Sequence, residues 1–335
     1  MPFINEILKY KSVSIVGIEK NTGKTECLNY ILQQLQSNDA SVAITSIGVD
    51  GEQTDRVTAT PKPEISLTKG MVFITSEKLF LEKKLIAEIL DVSEEKTALG
   101  RLITAKAFSE GKVTLSGPSD TAGVRKVISL MQQLGVQTTI IDGALSRMSL
   151  ASPSVTDAMV LATGAAVSAN ISQLVQNTAY IKKLIDLQHV EPFLAEKLLK
   201  LPKGIWAVDR NGEIHDLKIP SAFLFNKRED DIFRYGTRFY AAGAVSNSLL
   251  QSLRLQQKNI ELIIHDFSKV FASQPEFDAF IKSGNSIRSI TKSKLIAVTI
   301  NPVSPNGICL NSDLLRKEME KALSIPVYDI KKMNN

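Results

Sequence analysis

The chain has 335 residues, 44% of them apolar and 22% charged, enough to bury the core of one large domain or two smaller ones. Lys+Arg 40 against Asp+Glu 35 gives a formal charge of +5, spread along the chain. No basic arm, aromatic-interleaved basic run or zinc-finger spacing accompanies that excess, which argues against a nucleic-acid partner.

In chain order, short β-branched runs bounded by turn residues predict strands at Ser12–Val16, Val42–Ile47, Met71–Thr75, Val113–Leu115 and Thr138–Ile141. Further strands are expected at Ala158–Ala162, Ala222–Phe225, Ile260–His265 and Leu295–Ile300. Helical periodicity falls between them at Lys24–Gln36, Leu79–Leu90, Ala122–Leu134, Ile171–Asp186, Val245–Leu255 and Ser312–Leu323. Ser93–Ala107 also reads as a helix, and IPVYDI near the C-terminus as a strand. Strands alternating with helices imply βαβ units, hence an α/β, doubly wound fold with a mainly parallel sheet. The expectation is one large α/β domain over residues 1–335, with 187–204 the weakest composition break and the place where two packed halves would divide.

Ser12–Val16 runs directly into GIEKNTGKT, Gly17 to Thr25, and an apolar-periodic helix follows. Strand, glycine-rich loop and helix N-terminus together are the context that a phosphate-binding loop requires. Glycines let backbone N–H groups turn inward as an anion nest, and the helix start adds unpaired donors. The predicted phosphate contacts are Gly17, Asn21, Thr22, Gly23, Lys24, Thr25 and Glu26. Lys24 would reach the outer phosphates, and the Thr25 hydroxyl would ligate Mg²⁺. Five residues separate Gly17 from Gly23, where the standard loop has four.

Mg²⁺ takes carboxylates, phosphates and waters. Two aspartates follow predicted strands: Asp50 in SIGVDGE, with Glu52 close by, and Asp142 in TTIIDGALSR. Carboxyl ends of strands are where ligands gather in an open parallel sheet. Asp50 and Asp142 are therefore read, with Lys24, as catalytic residues, and with Thr25 as metal ligands. The competing reading is a turn at each strand end. Arg147 reads as a surface residue more readily than as a phosphate contact. Asn301 and Pro302 follow the last long strand, where an Asn amide suits a purine edge and a Pro-rich turn is the alternative. Thr163-Gly164-Ala165-Ala166 reads as small residues admitting a close helix rather than as a pocket lining.

These stations resemble the dethiobiotin-synthetase-like branch of P-loop NTPases, which includes cobyrinate amidating synthases and nucleotide-driven maturation factors. That branch shares the five-residue gap of Gly17–Thr25 and an E-G-A station, here Asp142-Gly143-Ala144. Its K-x-G-x-D segment stands here as Ser46-Ile47-Gly48-Val49-Asp50, without the lysine. The segments GEQTDRVTATPKPEI, TLSGPSD, IDGALSRMSLASP and DAMVLATGAAVS are similar to ATPase subunits of lysine 5,6-aminomutase reactivases, a family of bacterial lysine fermentation. This resemblance implies an ATPase using ATP and Mg²⁺ that drives exchange of damaged cobalamin, partnered by a second reactivase subunit and the aminomutase. A stand-alone ligase, or a nucleotide-binding module without turnover, are the alternatives, and a homo-oligomer is compatible with each.

His189, His215 and His265 lie at no metal-ligand spacing and read as packing or surface residues. Cys27 and Cys309 form no disulfide framework, the N-terminal stretch lacks a signal peptide's apolar core, and no apolar run nears the ~20 residues of a membrane span. The expected location is the cytoplasm.

Overall fold

The structure is a computed structural model that describes residues 3–36, 41–47, 64–144, 155–201, 203–221, 225 and 232–333. The chain forms two compact units, Met1–Ala179 with Ser293–Asn335, and Tyr180–Lys292 inserted between those two stretches.

The first unit begins with α1 (Ile4–Ile7), β1 (Ser12–Gly17), α2 (Lys24–Leu35), β2 (Val42–Ser46), β3 (Ile65–Leu67), β4 (Val72–Ser76) and α3 (Glu77–Leu81). It continues through β5 (Ala87–Thr97), β6 (Gly100–Ala107), β7 (Gly111–Val113), α4 (Thr121–Gln133), β8 (Thr138–Ala144), β9 (Ala158–Gly164) and the start of α5 (Ile171–Ile185), whose residues from Tyr180 on belong to the second unit. The second unit holds α6 (Pro192–Leu198), β10 (Ile205–Val208), β11 (Ile214–Ile219), β12 (Arg238–Ala241), α7 (Asn247–Leu255), β13 (Glu261–Ile264), α8 (Gln274–Lys282) and β14 (Ser286–Ser289). The chain returns to the first unit with β15 (Lys294–Asn301), α9 (Ser312–Leu323), β16 (Val327–Asp329) and α10 (Ile330–Met333).

The main sheet has nine strands in the order β16-β15-β9-β1-β8-β2-β4-β6-β5. All neighbours from β16 to β4 run parallel, whereas β6 is antiparallel to both β4 and β5. Side chains alternate across the sheet. Val13, Ile15, Ile44, Phe73 and Ile140 pack with Leu28, Ile31 and Leu35 of α2 on one face. Ile47, Ile141 and the α4 residues Val124 and Ile128 pack on the other, as do Ala43 and Ile74 with Met131. Helices thus cover both faces of a mostly parallel sheet. Side-chain caps fix where some helices begin: Asp120 accepts from the Gly123 N–H of α4, and Asn311 from the Leu314 N–H of α9.

Within the second unit the order is β11-β10-β12-β13-β14, with β12, β13 and β14 parallel and β10 antiparallel to its neighbours. Among the described residues, no helix is long and apolar enough to cross a membrane.

Two helix expectations are corrected. Leu79–Leu90 and Ser93–Ala107 contain the short α3 and then the β5–β6 hairpin. The turn is set by Thr97, whose hydroxyl donates to the Gly100 carbonyl and accepts the Leu99 N–H. In β6, Ile103, Ala105 and Ala107 join the core on the α2 face while Leu102 packs on the opposite face, a period of two that the neighbouring apolar residues disguised as a helical stripe. The short strand expected at Val113–Leu115 lies at Gly111–Val113 and pairs with β3 instead of joining the main sheet. Residues 222–224 of the strand expected at Ala222–Phe225 lie outside the described residues, and Phe225 is buried. Strands β3, β10, β11, β12 and β14 and helix α8 had no counterpart in the sequence reading.

Candidate functional site

Parallel pairing brings the carboxyl ends of β2, β8, β1, β9 and β15 to one edge of the main sheet. Gly17 stands opposite Ala144 on one side and Ala162 on the other, and Ser46 is level with Asp142. The loop leaves β1 at that edge. Its first link is the Ile18 N–H, which donates to the Ala162 carbonyl at 3.0 Å.

Inside the loop, the Thr22 hydroxyl donates to the Glu19 carbonyl at 3.0 Å. Thr22 is buried, while Glu19, Lys20, Asn21 and Glu26 are exposed. A Cβ on Gly17 would lie 2.5 Å from Thr22 Oγ1 and 2.9 Å from the Lys24 stem, so no larger residue fits beneath the loop. Gly23, at the N-cap of α2, has φ +87°, a conformation that glycine adopts without strain. The Cys27 N–H then donates to the Gly23 carbonyl, and the helix proceeds with its first N–H groups at the sheet edge.

Lys24 reaches across to β8. Its Nζ donates to the Gly143 carbonyl at 2.9 Å and lies 3.7 Å from Asp142 Oδ1. That carboxylate oxygen is buried and, among the described residues, accepts no hydrogen bond. A buried anionic oxygen without donors is costly unless a cation completes its surroundings. The Thr25 hydroxyl also stands near the helix start. Beside the Lys24 ammonium, the Asp142 carboxylate at the end of β8 and the Thr25 hydroxyl at the start of α2 are oxygen groups of the kind that could serve Mg²⁺, which accepts few protein ligands beside phosphates and water. Among the described residues, no three His, Cys, Asp or Glu side chains gather as a metal cluster.

On the other flank, Asn301 ends β15 level with Gly164 of β9, and its carbonyl accepts the Ala165 N–H. Its Oδ1 accepts the Val303 N–H at 3.2 Å, and Pro302 is buried behind it. The side chain packs against Gly23, which places Asn301 against the loop itself. A Cβ on Gly164 would meet the backbone of β15 at Asn301. Thr163 contributes a hydroxyl 3.2 Å from that of Thr178 on α5.

Lys24, Thr25 and Asp142 come together with the loop, and Asn301 borders it. Asp50, Glu52 and Arg147 lie outside the described residues. Two participants were not foreseen. One is the Gly143 carbonyl that holds Lys24. The other is Ser46, whose hydroxyl donates to the Asp142 carbonyl at 3.4 Å. Only the register of β2 on β8 brings out the second. Beneath the loop, burial pushes the Cys27 thiol up to about 12, with Asp142 and Glu26 adding to the shift and a hydrogen bond to Thr299 opposing it.

Comparison with family models, with curated proteins and with solved structures finds no match for the chain.

Proposed function

We propose that the chain is a P-loop NTPase that binds and hydrolyses ATP with Mg²⁺. We further propose that turnover drives release of damaged cobalamin from an adenosylcobalamin-dependent lysine aminomutase, alongside a second reactivase subunit. The nucleotide reading rests on one observation: Lys24, at the start of the helix after the loop, meets the end of β8 beside a buried Asp142 oxygen that accepts no hydrogen bond from the described residues. The aminomutase role rests on the resemblance of TLSGPSD and DAMVLATGAAVS to that ATPase family.

In this reading the N–H groups between Gly17 and Thr25 receive the phosphates, and Lys24 exchanges the Gly143 carbonyl for a phosphate oxygen. Thr25 and Asp142 hold Mg²⁺, which when bound neutralises phosphate charge. Asp50 keeps the catalytic and metal-binding roles read from its sequence position. Catalysis is then a matter of position and electrostatics.

Calorimetry with ATP and GTP in Mg²⁺, on the wild type and Lys24→Ala, tests the first part. ATP binding that is lost in the variant supports it, and no binding of either nucleotide overturns it. Co-purification with aminomutase subunits, with and without ATP, tests the second. An empty result under both conditions rejects the reactivase role while leaving the nucleotide reading standing.

A further inference from the structure

We propose that Thr22 is a positioning residue for phosphate binding. Its hydroxyl holds the five-residue span between Gly17 and Gly23 in a phosphate-ready shape before a ligand arrives. This role rests on the nucleotide reading of the same loop, and it acts through the loop's backbone rather than by contact with the phosphates.

A span one residue longer than the standard loop has one more peptide unit to place. Each carbonyl oxygen in it either turns away from a bound anion or repels it. Thr22 decides this for Glu19, because its hydroxyl donates to the Glu19 carbonyl at 3.0 Å. Thr22 is 1% exposed while Lys20 and Asn21 beside it are exposed, so the bond lies on the buried side of the loop. Gly17 makes the room: a Cβ there would stand 2.5 Å from the Thr22 hydroxyl oxygen. Carbonyl, hydroxyl and missing side chain together form a clasp within the loop itself.

The backbone on either side of Thr22 has the matching form. Asn21 has φ +61° and Gly23 φ +87°, so left-handed residues bracket it. Reversing the hand of the backbone from one residue to the next turns successive N–H groups to one concave side, the geometry of an anion nest. Asparagine tolerates the left-handed region better than most residues, and glycine enters it freely. Only Gly23 separates the clasp from the helix start that carries Lys24 and Thr25. A loop held in this shape loses little freedom when phosphate binds, whereas an unclasped loop must be ordered at that moment, which weakens binding.

Calorimetry on the full chain with ATP and with inorganic tripolyphosphate, both in Mg²⁺, tests this on wild type, Thr22→Val, Thr22→Ala and Thr22→Ser. Valine keeps the shape without the donor, alanine adds no bulk beside Gly17, and serine keeps the hydroxyl. Thr22→Val and Thr22→Ala should each weaken both ligands by about three- to tenfold, the scale of one net hydrogen bond. Thr22→Ser should bind like the wild type. A purely structural bond would lower the urea midpoint of the first two variants and leave their affinities unchanged, which overturns the role. A Thr22→Ser variant as weak as Thr22→Val overturns it as well. So does a failure of both hydroxyl-free variants to fold, by circular dichroism, while Thr22→Ser folds. In each of these cases the wild type still binds, and the nucleotide reading stands; a wild type that binds neither probe overturns both.

Discussion

Asn301 Cβ lies 3.0 Å from where a Cβ on Gly23 would stand. The last long strand of the sheet therefore supports the loop that leaves the first, although the two residues are far apart in the chain. Gly23→Ala adds a crowded methyl at a left-handed φ, and should destabilise the first unit by roughly 1–2 kcal/mol. Urea denaturation measures this, and a variant as stable as the wild type would show that the loop does not depend on this fit.

Asp142→Asn keeps the shape of the side chain and removes its charge. Nucleotide affinity should fall by about tenfold or more, equivalent to roughly 1.4 kcal/mol, when Mg²⁺ is present. With Mg²⁺ chelated, wild type and variant should bind alike. Calorimetry under both conditions separates a metal role from general damage to the site, since damage would weaken both measurements.

Thr163 and Thr178 share a buried hydrogen bond, and Thr178 also donates to the Leu174 carbonyl within α5. Thr178→Val leaves the Thr163 hydroxyl without this partner and should cost about 1–3 kcal/mol. Replacing both residues by valine should recover part of that loss. Chemical denaturation of the two single variants and the double variant gives the coupling directly.

Cys27 is buried with its thiol pushed up to about 12, while Cys309 is exposed. A thiol reagent under native conditions should modify Cys309 and spare Cys27, because the thiolate is the reactive form. Denaturant should bring the second thiol into reaction. Peptide mass mapping checks this, and rapid native labelling of Cys27 would contradict the packing of α2 on the sheet.

Much of the fold was legible wherever one element met a single kind of neighbour. The runs at Ser12, Thr138 and Ala158 are buried on both faces, so they read as unbroken β-branched or apolar strands. Helices α2, α4, α5 and α9 carry a long apolar stripe and were found close to their true ends. The β5–β6 hairpin was not, because Leu90, Val92, Leu99 and Leu102 imitate helical spacing while the pairing that decides the matter is with β4. The second unit was harder still. Its strands are four to six residues long, and β11 mixes His215, Asp216 and Lys218 with its apolar residues. At the site, Lys24 and Asp142 could be named from local pattern. Ser46 and the Gly143 carbonyl matter only through register and tertiary approach, which a single sequence does not encode locally.

The insertion of residues 180–292 between β9 and β15, which begins within α5, has a bearing on the order in which the protein folds. β15 must pair with β9 across that whole span, and closing a longer unstructured loop costs more conformational entropy. The inserted unit ties its own ends together: the Val190 N–H donates to the Ser289 carbonyl, and the Ser289 N–H to that of Gln188. Once folded, it leaves only a short effective tether between β9 and β15. Pulse-labelling hydrogen exchange should therefore show β12–β14 protected before β15, and the reverse order would refute this. During synthesis, β15 and the Asn301 that ends it would be laid down long after the loop, so a chain halted before them would hold the loop and Lys24 without the strand that braces them.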